Sequence, residues 1–393
     1  MTKIMILGAG IYQVPLIETA KKMGLYTIVV SIPGNYPGFA LADKVYYENT
    51  VDEDKILEIA KKERIKGIVT SGTDVCMKTV GRVCDAMGLN GLSYEASKVA
   101  VDKMLMKSRY EEYGVRTARF RRVSFSDPDI RKTIRDLNFP LIFKSVDSSG
   151  SRGIIRVNSS DEFTSSMDYV RENTRKDYFL VEEFIEGEEF GAQAFAYDGN
   201  VSFILPHGDY VYHGDTGVPI GHYAPYDLPE EVVEDAKIQL RRAVKAMGLD
   251  NCAINADFIL KNGKTYVLEI GGRCGATCLA ELVSIYYGFD YYEKIIRTAL
   301  DEDPDFNFKK PHTPNASHLL MSDKDGVIRS IENLNEPDDN ICEVHFDYKP
   351  GDEVRKFHVG PDRIGHIITK GETLEAAQDL LFKAMDNIKI EVE

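Results

Sequence analysis

The first 95 residues alternate between short apolar runs and amphipathic stretches. This pattern predicts strands at Lys3–Leu7, Tyr26–Ser31 and Ile65–Thr70, with helices between them at Tyr12–Met23 and Asp52–Lys62. A β-α-β-α-β order favours a parallel sheet whose crossover connections are helices. We therefore expect a doubly wound α/β unit at the N-terminus.

A different pattern begins at Pro140 and continues to about Tyr197. Apolar runs are interrupted there by the Gly/Ser turn Asp147–Gly153, which is typical of hairpin strands rather than helical crossovers. The next segment, Leu205–Tyr226, is dense in Gly, Pro, His and Tyr and has no periodicity. We expect an ordered functional loop there, because long irregular connections inside a compact domain are uncommon otherwise.

Periodicity returns after that segment. Glu230–Met247 reads as an amphipathic helix, and Ala253–Leu260 and Thr265–Ile270 read as two strands of a hairpin around an Asn-Gly turn. The pattern changes again at about residue 303, beyond which we expect several short strands and one helix, Leu374–Asn387. The fold class predicted from these patterns is mixed, part α/β and part α+β.

Composition and charge restrict the function. The chain has 393 residues, which suggests two to four domains, and its formal net charge is −15. An acidic surface repels phosphate backbones, so we expect no nucleic-acid partner. No Lys/Arg block for anionic membranes is present, and no apolar run approaches the roughly 18 residues that cross a bilayer. Six scattered cysteines without a CxxC pair are typical of reduced thiols, so we expect a cytoplasmic protein.

The first candidate motif is Gly8-Ala9-Gly10, between a predicted strand and helix as in a dinucleotide site. However, Gln13 occupies the position of the third glycine, and the second strand ends at Ser31 where an acidic residue would bind a ribose. A tight strand-to-helix turn explains the glycines, and a substrate could still lie at this edge of the sheet.

Two features suit a phosphate chain. Lys144 ends the apolar strand Pro140–Lys144, and the turn Asp147–Gly153 comes directly after it. The ammonium would neutralise phosphate charge, and small residues would let backbone N–H groups approach the oxygens. Lys103 is a second candidate cation. On its own, this pattern fits a surface hairpin equally well.

An acidic hairpin and a pair of carboxylates come next. In Val181–Phe190 an apolar strand ends in acidic residues and turns at Gly187, which could supply the acceptors that an adenine and a ribose need. A solvated acidic turn is the alternative. Asp257 and Glu269 lie on the two strands of the predicted Asn-Gly hairpin, where both carboxylates can face one point and bind Mg²⁺. Arg273 comes next, a planar cation suited to charge that builds up in a transfer reaction.

The order of these motifs resembles the ATP-grasp superfamily over roughly residues 1–300, nearest to its carboxylate–amine ligases, L-amino-acid ligases and biotin carboxylase. The resemblance implies a Rossmann-like preATP-grasp domain at 1–95 and a two-lobed ATP-grasp domain at 96–302. Its small lobe would span about 115–190, and a small C-terminal α/β lid would span 303–393. It also implies ATP and Mg²⁺ (or Mn²⁺) as cofactors, small-molecule carboxylate and amine substrates, and a homodimer.

The resemblance also assigns roles to residues. Lys103 and Lys144 resemble the ATP-phosphate lysines, and Glu182, Ile185 and Glu189 match adenine- and ribose-binding positions. Asp257 and Glu269 match the metal-binding acids, and Glu269 and Arg273 are the expected catalytic pair. The phosphate-covering lid is expected to comprise Ser148, Ser149, Gly150, Ser151, Arg152 and Gly153.

One position departs from the family pattern, and a group of histidines has no certain counterpart in it. Many members carry a metal-binding Asn where this chain has Gly271, and we expect Asn255, on the strand face of Asp257, to substitute. His207, His213 and His222 fall where the family places a basic residue that contacts ATP or substrate, and His213 is our candidate for ATP. A zinc site is less favoured, since no acid or thiol pattern accompanies these histidines.

Three functions are consistent with these motifs. The first is an ADP-forming ligase that activates a carboxylate, such as that of an amino acid, as an acyl phosphate and couples it to an amine. The second is a carboxylase that activates bicarbonate on the same scaffold. The third is a non-catalytic nucleotide-binding regulatory protein, for which the Gly271 departure is the only support.

Overall fold

The computed structural model describes residues 1–148, 153–214, 216–308 and 311–393. The N-terminal part contains β1 Lys3–Leu7, α1 Val14–Lys22, β2 Tyr26–Ser31, α2 Gly38–Leu41, β3 Lys44–Tyr47, α3 Glu53–Glu63, β4 Gly67–Val69 and α4 Met77–Met87. Its four strands form a parallel sheet in the order β3-β2-β1-β4.

All three predicted strands and both predicted helices of this part are present, and the structure adds α2 and β3. The strand β3 escaped the sequence pattern because it is a four-residue edge strand with no buried side chain. Helix α3 begins where its capping residue predicts, since the Asp52 carboxylate accepts a hydrogen bond from the Lys55 amide at 3.1 Å.

A small antiparallel sheet forms the next lobe. The elements that follow α4 are α5 Tyr94–Ala100, α6 Lys103–Glu112, β5 Phe120–Ser124, α7 Ile130–Thr133, β6 Leu141–Lys144, β7 Ile154–Val157, α8 Phe163–Glu172 and β8 Tyr178–Glu183. The strand order of the sheet is β5-β8-β6-β7. Its core contains the stacked or tilted rings of Phe125, Phe143 and Phe179, with Phe163 of the covering helix α8.

An eight-stranded sheet forms the centre of the molecule, and a three-stranded sheet lies beside it. The remaining elements are β9 Glu188–Tyr197, β10 Asn200–Val211, β11 Pro219–Ala224, α9 Glu230–Met247, β12 Cys252–Lys261, β13 Lys264–Gly271, α10 Leu279–Tyr287, α11 Tyr291–Ala299, β14 Asn315–Leu320, β15 Gly326–Asn333, β16 Ile341–Phe346, β17 Glu353–Val354, β18 Gly365–Lys370, α12 Leu374–Asp386 and β19 Ile388–Val392. The order of the central sheet is β13-β12-β9-β10-β11-β14-β18-β16, and that of the small sheet is β17-β15-β19. The mixed fold class is thereby confirmed.

The interpretation of Leu205–Tyr226 as an irregular loop is wrong, because most of it forms the hairpin β10–β11. Its glycines hid the strand pattern, and they are there for close packing. A Cβ at Gly221 would lie 2.2 Å from the Ser317 carbonyl oxygen of β14, and one at Gly208 would lie 2.1 Å from the Tyr223 ring. The segment is therefore a strand pair in which glycine makes room for neighbours.

The central sheet continues across the expected boundary at residue 303. Strand β11 pairs with β14 antiparallel, with Gly221 opposite His318, so the C-terminal region extends the same sheet. The limits proposed at 95 and 302 stay predictions.

Several helices are amphipathic, whereas α11 is buried along most of its length. Helix α9 has the predicted bounds, buries Ala236, Leu240 and Ala243, and ends at Gly248 in the left-handed conformation. Within the described ranges, no helix combines the length and the apolar character that a membrane-spanning helix needs.

Candidate functional site

A cleft of about 620 Å³ lies between the small antiparallel lobe and the central sheet. It collects most of the residues that the sequence singled out. The predicted site residues that line it are Lys103, Lys144, Ser148, Glu182, Ile185, Glu189, Asn255, Asp257, Glu269 and Arg273.

The charged centre of the cleft is Glu182, at the end of β8, between two lysines. Its side chain is buried, and ion pairs join its carboxylate to Lys107 at 2.7 Å and to Lys144 at 2.5 Å. Desolvation by burial would raise the pKa of Glu182, but the two ammonium groups outweigh it and lower the pKa to about 2. Burial lowers the pKa of Lys107, against the attraction of the same carboxylate. Glu182 therefore fixes the position of Lys144, and its contact with adenine stays a prediction.

Lys103, the first residue of α6, connects two parts of the site. Its Nζ donates a hydrogen bond to the Ser148 carbonyl oxygen at 2.7 Å and to Glu269 Oε1 at 3.0 Å. Asp102 caps this helix by accepting from the amides of Met104 and Leu105. The lysine is thus held between the predicted phosphate lid and the predicted metal acids.

The two ends of the predicted lid are held in place. The Ser148 hydroxyl donates to the Asn173 carbonyl oxygen. Gly153 has a φ of +66°, and a Cβ there would lie 2.5 Å from Ser145 Oγ. The predicted lid residues Ser149, Gly150, Ser151 and Arg152 lie outside the described residues.

The paired carboxylates face each other as the hairpin predicts. Asp257 on β12 lies directly opposite Glu269 on β13. The Asp257 carboxylate faces the cleft, and protein surrounds its other sides. The resulting desolvation, followed by the negative charges of Glu269 and Asp209, raises the pKa of Asp257 to about 7. A concentration of negative charge that favours protonation is a place where a divalent cation would be stabilised.

Asn255, the predicted substitute metal ligand, already takes part in a hydrogen-bond network. Asn255 lies opposite Gly271, beside Asp257 on the same face of β12. Its Oδ1 accepts a hydrogen bond from Gln193 Nε2 at 2.6 Å. Gln193 is buried and its Oε1 also accepts from the Gly275 amide, so this amide network fixes Asn255. A metal contact by Asn255 stays a prediction.

Arg273 lies in the cleft, paired with an acidic residue from the segment that follows β4. Its Nη2 is 2.7 Å from Asp74 Oδ2, and burial, which lowers the pKa of Arg273, is outweighed by Asp74, which raises it. Arg273 Nε and Asp74 Oδ1 are buried, and neither has a hydrogen-bond partner among the residues that the structure describes. A buried polar atom without a protein partner usually indicates an ordered water or ion beside it.

The other end of the cleft is apolar and suits a planar base. Ala118, Ile185 and Ile259 form a small buried cluster there, with Leu268 packed against it. Glu189 is exposed to the cleft nearby, at the start of β9, as expected for a ribose-binding acid. Apolar walls with a few placed polar groups are typical of a nucleotide pocket.

The structure places the histidines differently from our expectation. His213 lies exposed at the turn of the β10–β11 hairpin and does not line the cleft. His207 and His222 are buried and line it, on either side of Asp209. The assignment of an ATP contact to His213 is therefore not supported by its position, and the expectation that no acid accompanies the histidines is wrong.

Three residues of the site were missed by the sequence analysis: Lys107, Asp74 and Asp209. Lys107 comes one helical turn after Lys103, so it faces the same side. Asp209 comes two strand positions after His207, which would have indicated a shared face had the segment been taken as a strand. Asp74 comes after β4, at the end of the parallel sheet where ligands bind in such folds.

The donors present fit Mg²⁺ and ATP. Two carboxylates offer hard oxygen ligands, lysines lie beside them, and an apolar pocket lies at the far end of the same cleft.

Comparison with known proteins agrees with this geometry. A family model described as ATP-grasp domain matches residues 137–281, and one described as L-amino acid ligase C-terminal domain 2 matches residues 318–393.

Three individual proteins are similar. A solved structure named phosphoribosylglycinamide synthetase from Anaerococcus prevotii is 36% identical, with a TM-score of 0.88 and 100% of both chains covered. The L-amino acid ligase of Bacillus licheniformis is 19% identical, with a TM-score of 0.80 and 100% of this chain and 99% of that chain covered. An alanine–anticapsin ligase of Bacillus subtilis (strain 168) is 24% identical over 66% of this chain and 60% of that protein. The chain therefore belongs to the ATP-grasp family of ATP-dependent carboxylate–amine ligases.

Proposed function

We propose that the protein uses Mg²⁺ and ATP to convert a small carboxylate into an acyl phosphate, which it then transfers to an amine. The observation that carries this proposal is the convergence of Lys103, Lys144, Asp257, Glu269 and Arg273 on one cleft. These groups match what phosphoryl transfer requires, which is positioning and stabilisation of negative charge.

The lysines and the carboxylates would have separate roles. Lys144, fixed by Glu182, and Lys103, fixed by Glu269 and the Ser148 carbonyl, neutralise the phosphate chain. Asp257 and Glu269 would hold the Mg²⁺, which supplies charge stabilisation to the phosphates when bound.

The bond changes are those of two successive displacements. A carboxylate oxygen attacks the γ-phosphorus and ADP leaves; the amine nitrogen then attacks the acyl carbon, inorganic phosphate leaves, and the amine loses a proton. Arg273 lies beside Asp74 at the cleft wall, where its guanidinium would steady the oxyanion of the second step. A covered site keeps water from hydrolysing the mixed anhydride.

The test measures ADP release from Mg-ATP with single carboxylates, with and without hydroxylamine. The panel holds amino acids and bicarbonate. A hydroxamate formed with one acid supports the proposal and gives the substrate class. ADP release with bicarbonate alone would favour a carboxylase, and ATP binding without turnover on any acid would contradict the proposal.

We also propose a homodimer and a cytoplasmic location. All six cysteines are free, which fits a reducing compartment. Light scattering coupled to size exclusion tests the dimer, and fractionation of the source cells tests the location.

A further inference from the structure

Three side chains of the β10–β11 hairpin meet at one wall of the cleft. His207 and Asp209 lie on β10, two positions apart and therefore on one face, and His222 on β11 is directly opposite Asp209. All three line the cleft. We call these three residues the hairpin triad.

The hairpin triad is compact and enclosed. Asp209 Oδ1 is 3.0 Å from His207 Nδ1 and 2.6 Å from His222 Nδ1, and one ligand atom from each residue lies within 4.8 Å of the others. Both histidines are almost fully buried, with exposed fractions of 2% and 3%. The Asp209 side chain is 30% exposed, on the side of the cleft.

The surrounding chain is shaped to this arrangement. A Cβ at Gly191, on the neighbouring strand β9, would lie 2.1 Å from His207 Cε1, so a glycine is needed for the imidazole to occupy its place. His222 is fixed from the other side, because its backbone N–H donates a hydrogen bond to Ser317 Oγ of β14 at 3.3 Å. The ring positions are therefore built into the sheet.

The donors of the triad favour a transition ion. The Asp209 carboxylate contacts both imidazoles and lines the same cleft as Asp257. Asp257 in turn lies opposite Glu269, and Lys103 and Arg273 are cations of the same cleft. Two imidazole nitrogens and one carboxylate oxygen are the donors of transition-metal sites, whereas Mg²⁺ takes oxygen ligands.

We propose that His207, Asp209 and His222 form a second metal site, for a divalent transition ion such as Zn²⁺, Mn²⁺ or Co²⁺, separate from the Mg²⁺ acids Asp257 and Glu269. Three protein ligands leave coordination positions open, as in catalytic rather than structural metal sites. The Asp209 side chain is exposed toward the cleft, so an oxygen of the proposed carboxylate substrate would be a suitable further ligand. The site stands on its own donors and does not depend on the ligase reaction.

The test titrates the metal-stripped full-length protein with Co²⁺ in the absence of nucleotide, by visible d–d absorption and equilibrium dialysis. We expect one Co²⁺ per chain with the absorption of a nitrogen-containing site, displaced by one equivalent of Zn²⁺. His207→Gln and His222→Gln should each weaken binding at least about tenfold, since loss of an outer partner alone has that effect. Asp209→Asn, which keeps the shape of the side chain, should do the same, and thermal melting identifies any variant that fails to fold.

Two control variants separate this site from other binding. His213→Gln changes an exposed histidine of the same hairpin and should keep full Co²⁺ affinity. Asp257→Asn should also keep the cobalt absorption, although it disturbs the acids assigned to Mg²⁺. The proposal is overturned if no stoichiometric Co²⁺ binds, if the folded His207 and His222 variants bind it as well as the unaltered protein, or if Asp257→Asn abolishes the absorption. Asp209 would then serve as a hydrogen-bonded clamp for two imidazoles.

Discussion

A single carboxylate, Glu182, forms ion pairs with two lysines inside the protein. Replacing it with Gln would leave Lys107, whose side chain is 2% exposed, and Lys144, at 14%, without their common counter-charge. Breaking a buried ion pair from one side costs about 3–5 kcal/mol. We expect the Glu182→Gln variant to lose that much free energy of unfolding, measured by urea denaturation at pH 7.

A neighbouring acid provides the matched control. Glu183→Gln changes the next residue, whose ion-pair partner Arg119 is 53% exposed. The Gln Oε1 can still accept the hydrogen bonds from Asn138, so the effect should stay below about 1 kcal/mol. Equal losses in the two variants would contradict the role given to Glu182.

The same carboxylate predicts a pH dependence of stability. The pKa of Glu182 is lowered from 4.5 to about 2, so the folded protein binds its proton less readily than the unfolded chain. Its contribution to stability is complete above about pH 4.5 and disappears as the pH falls toward about 2. Stability should therefore fall less steeply across this window in Glu182→Gln than in the unaltered protein. Other acids such as Glu63 titrate in both, so identical slopes would show that Glu182 is not responsible.

Glu269 is the predicted metal ligand that also contacts Lys103. It is therefore the more informative of the two carboxylates for a catalytic test. Glu269→Gln keeps the size of the side chain and its hydrogen bond from Lys103, but it removes a charged metal ligand. We expect turnover, measured as ADP release, to fall roughly 100-fold or more, as for loss of groups that hold a metal, with the melting temperature nearly unchanged. Normal turnover would contradict the assignment of the metal site.

At the scale of elements, regular patterns were predictable and glycine-rich ones were not. The hairpin of Asp257 and Glu269 follows from alternation and its Asn-Gly turn, and helix α9 from its apolar stripe. The β10–β11 hairpin was missed because Gly208 and Gly221 replace side chains that would have shown the alternation. Glycine is required at these positions because Tyr223 and Ser317 lie very close to them. That proximity arises from the tertiary fold and cannot be seen in the local sequence. Asp209 was missed as a consequence.

The turn that ends the predicted lid gives a prediction at this scale. Gly153 and Gly199 both have positive φ, +66° and +73°, so Ala at either should cost roughly 1–2 kcal/mol of backbone strain. At Gly199 a Cβ meets nothing within 4 Å, whereas at Gly153 it also lies 2.5 Å from Ser145 Oγ.

Gly153→Ala should therefore displace the strand end that carries Lys144 and weaken ATP binding several-fold by calorimetry, while Gly199→Ala leaves the affinity unchanged. Equal ATP affinities in the two variants would show that this turn does not position the phosphate site.

For the whole molecule, the sheet and the apolar core cross the domain limits that the sequence suggested. One cluster of buried side chains joins Leu16 of α1, Phe195 of β9, Tyr291 of α11 and Ile368 of β18. Composition shifts and prolines near residue 303 indicated a boundary, but they carry no information about which strands pair across it. The pairing of β11 with β14 brings the two strands so close that a glycine is required at 221.

Shared strands and a shared core predict that the C-terminal region unfolds together with the central sheet. Separating β14 from β11 would expose an unpaired strand edge and the buried side chains Ala316 and Ile367, so partial opening there should be as costly as global unfolding. Native-state hydrogen exchange in increasing denaturant measures this. We expect the amides of β14 and β18 to open with the same free energy as those of β9 and β12. A separate, lower step for β14 and β18 would instead mark an independent domain docked on the cleft, and the hairpin triad, which lies next to that junction, would then be free to open and close with it.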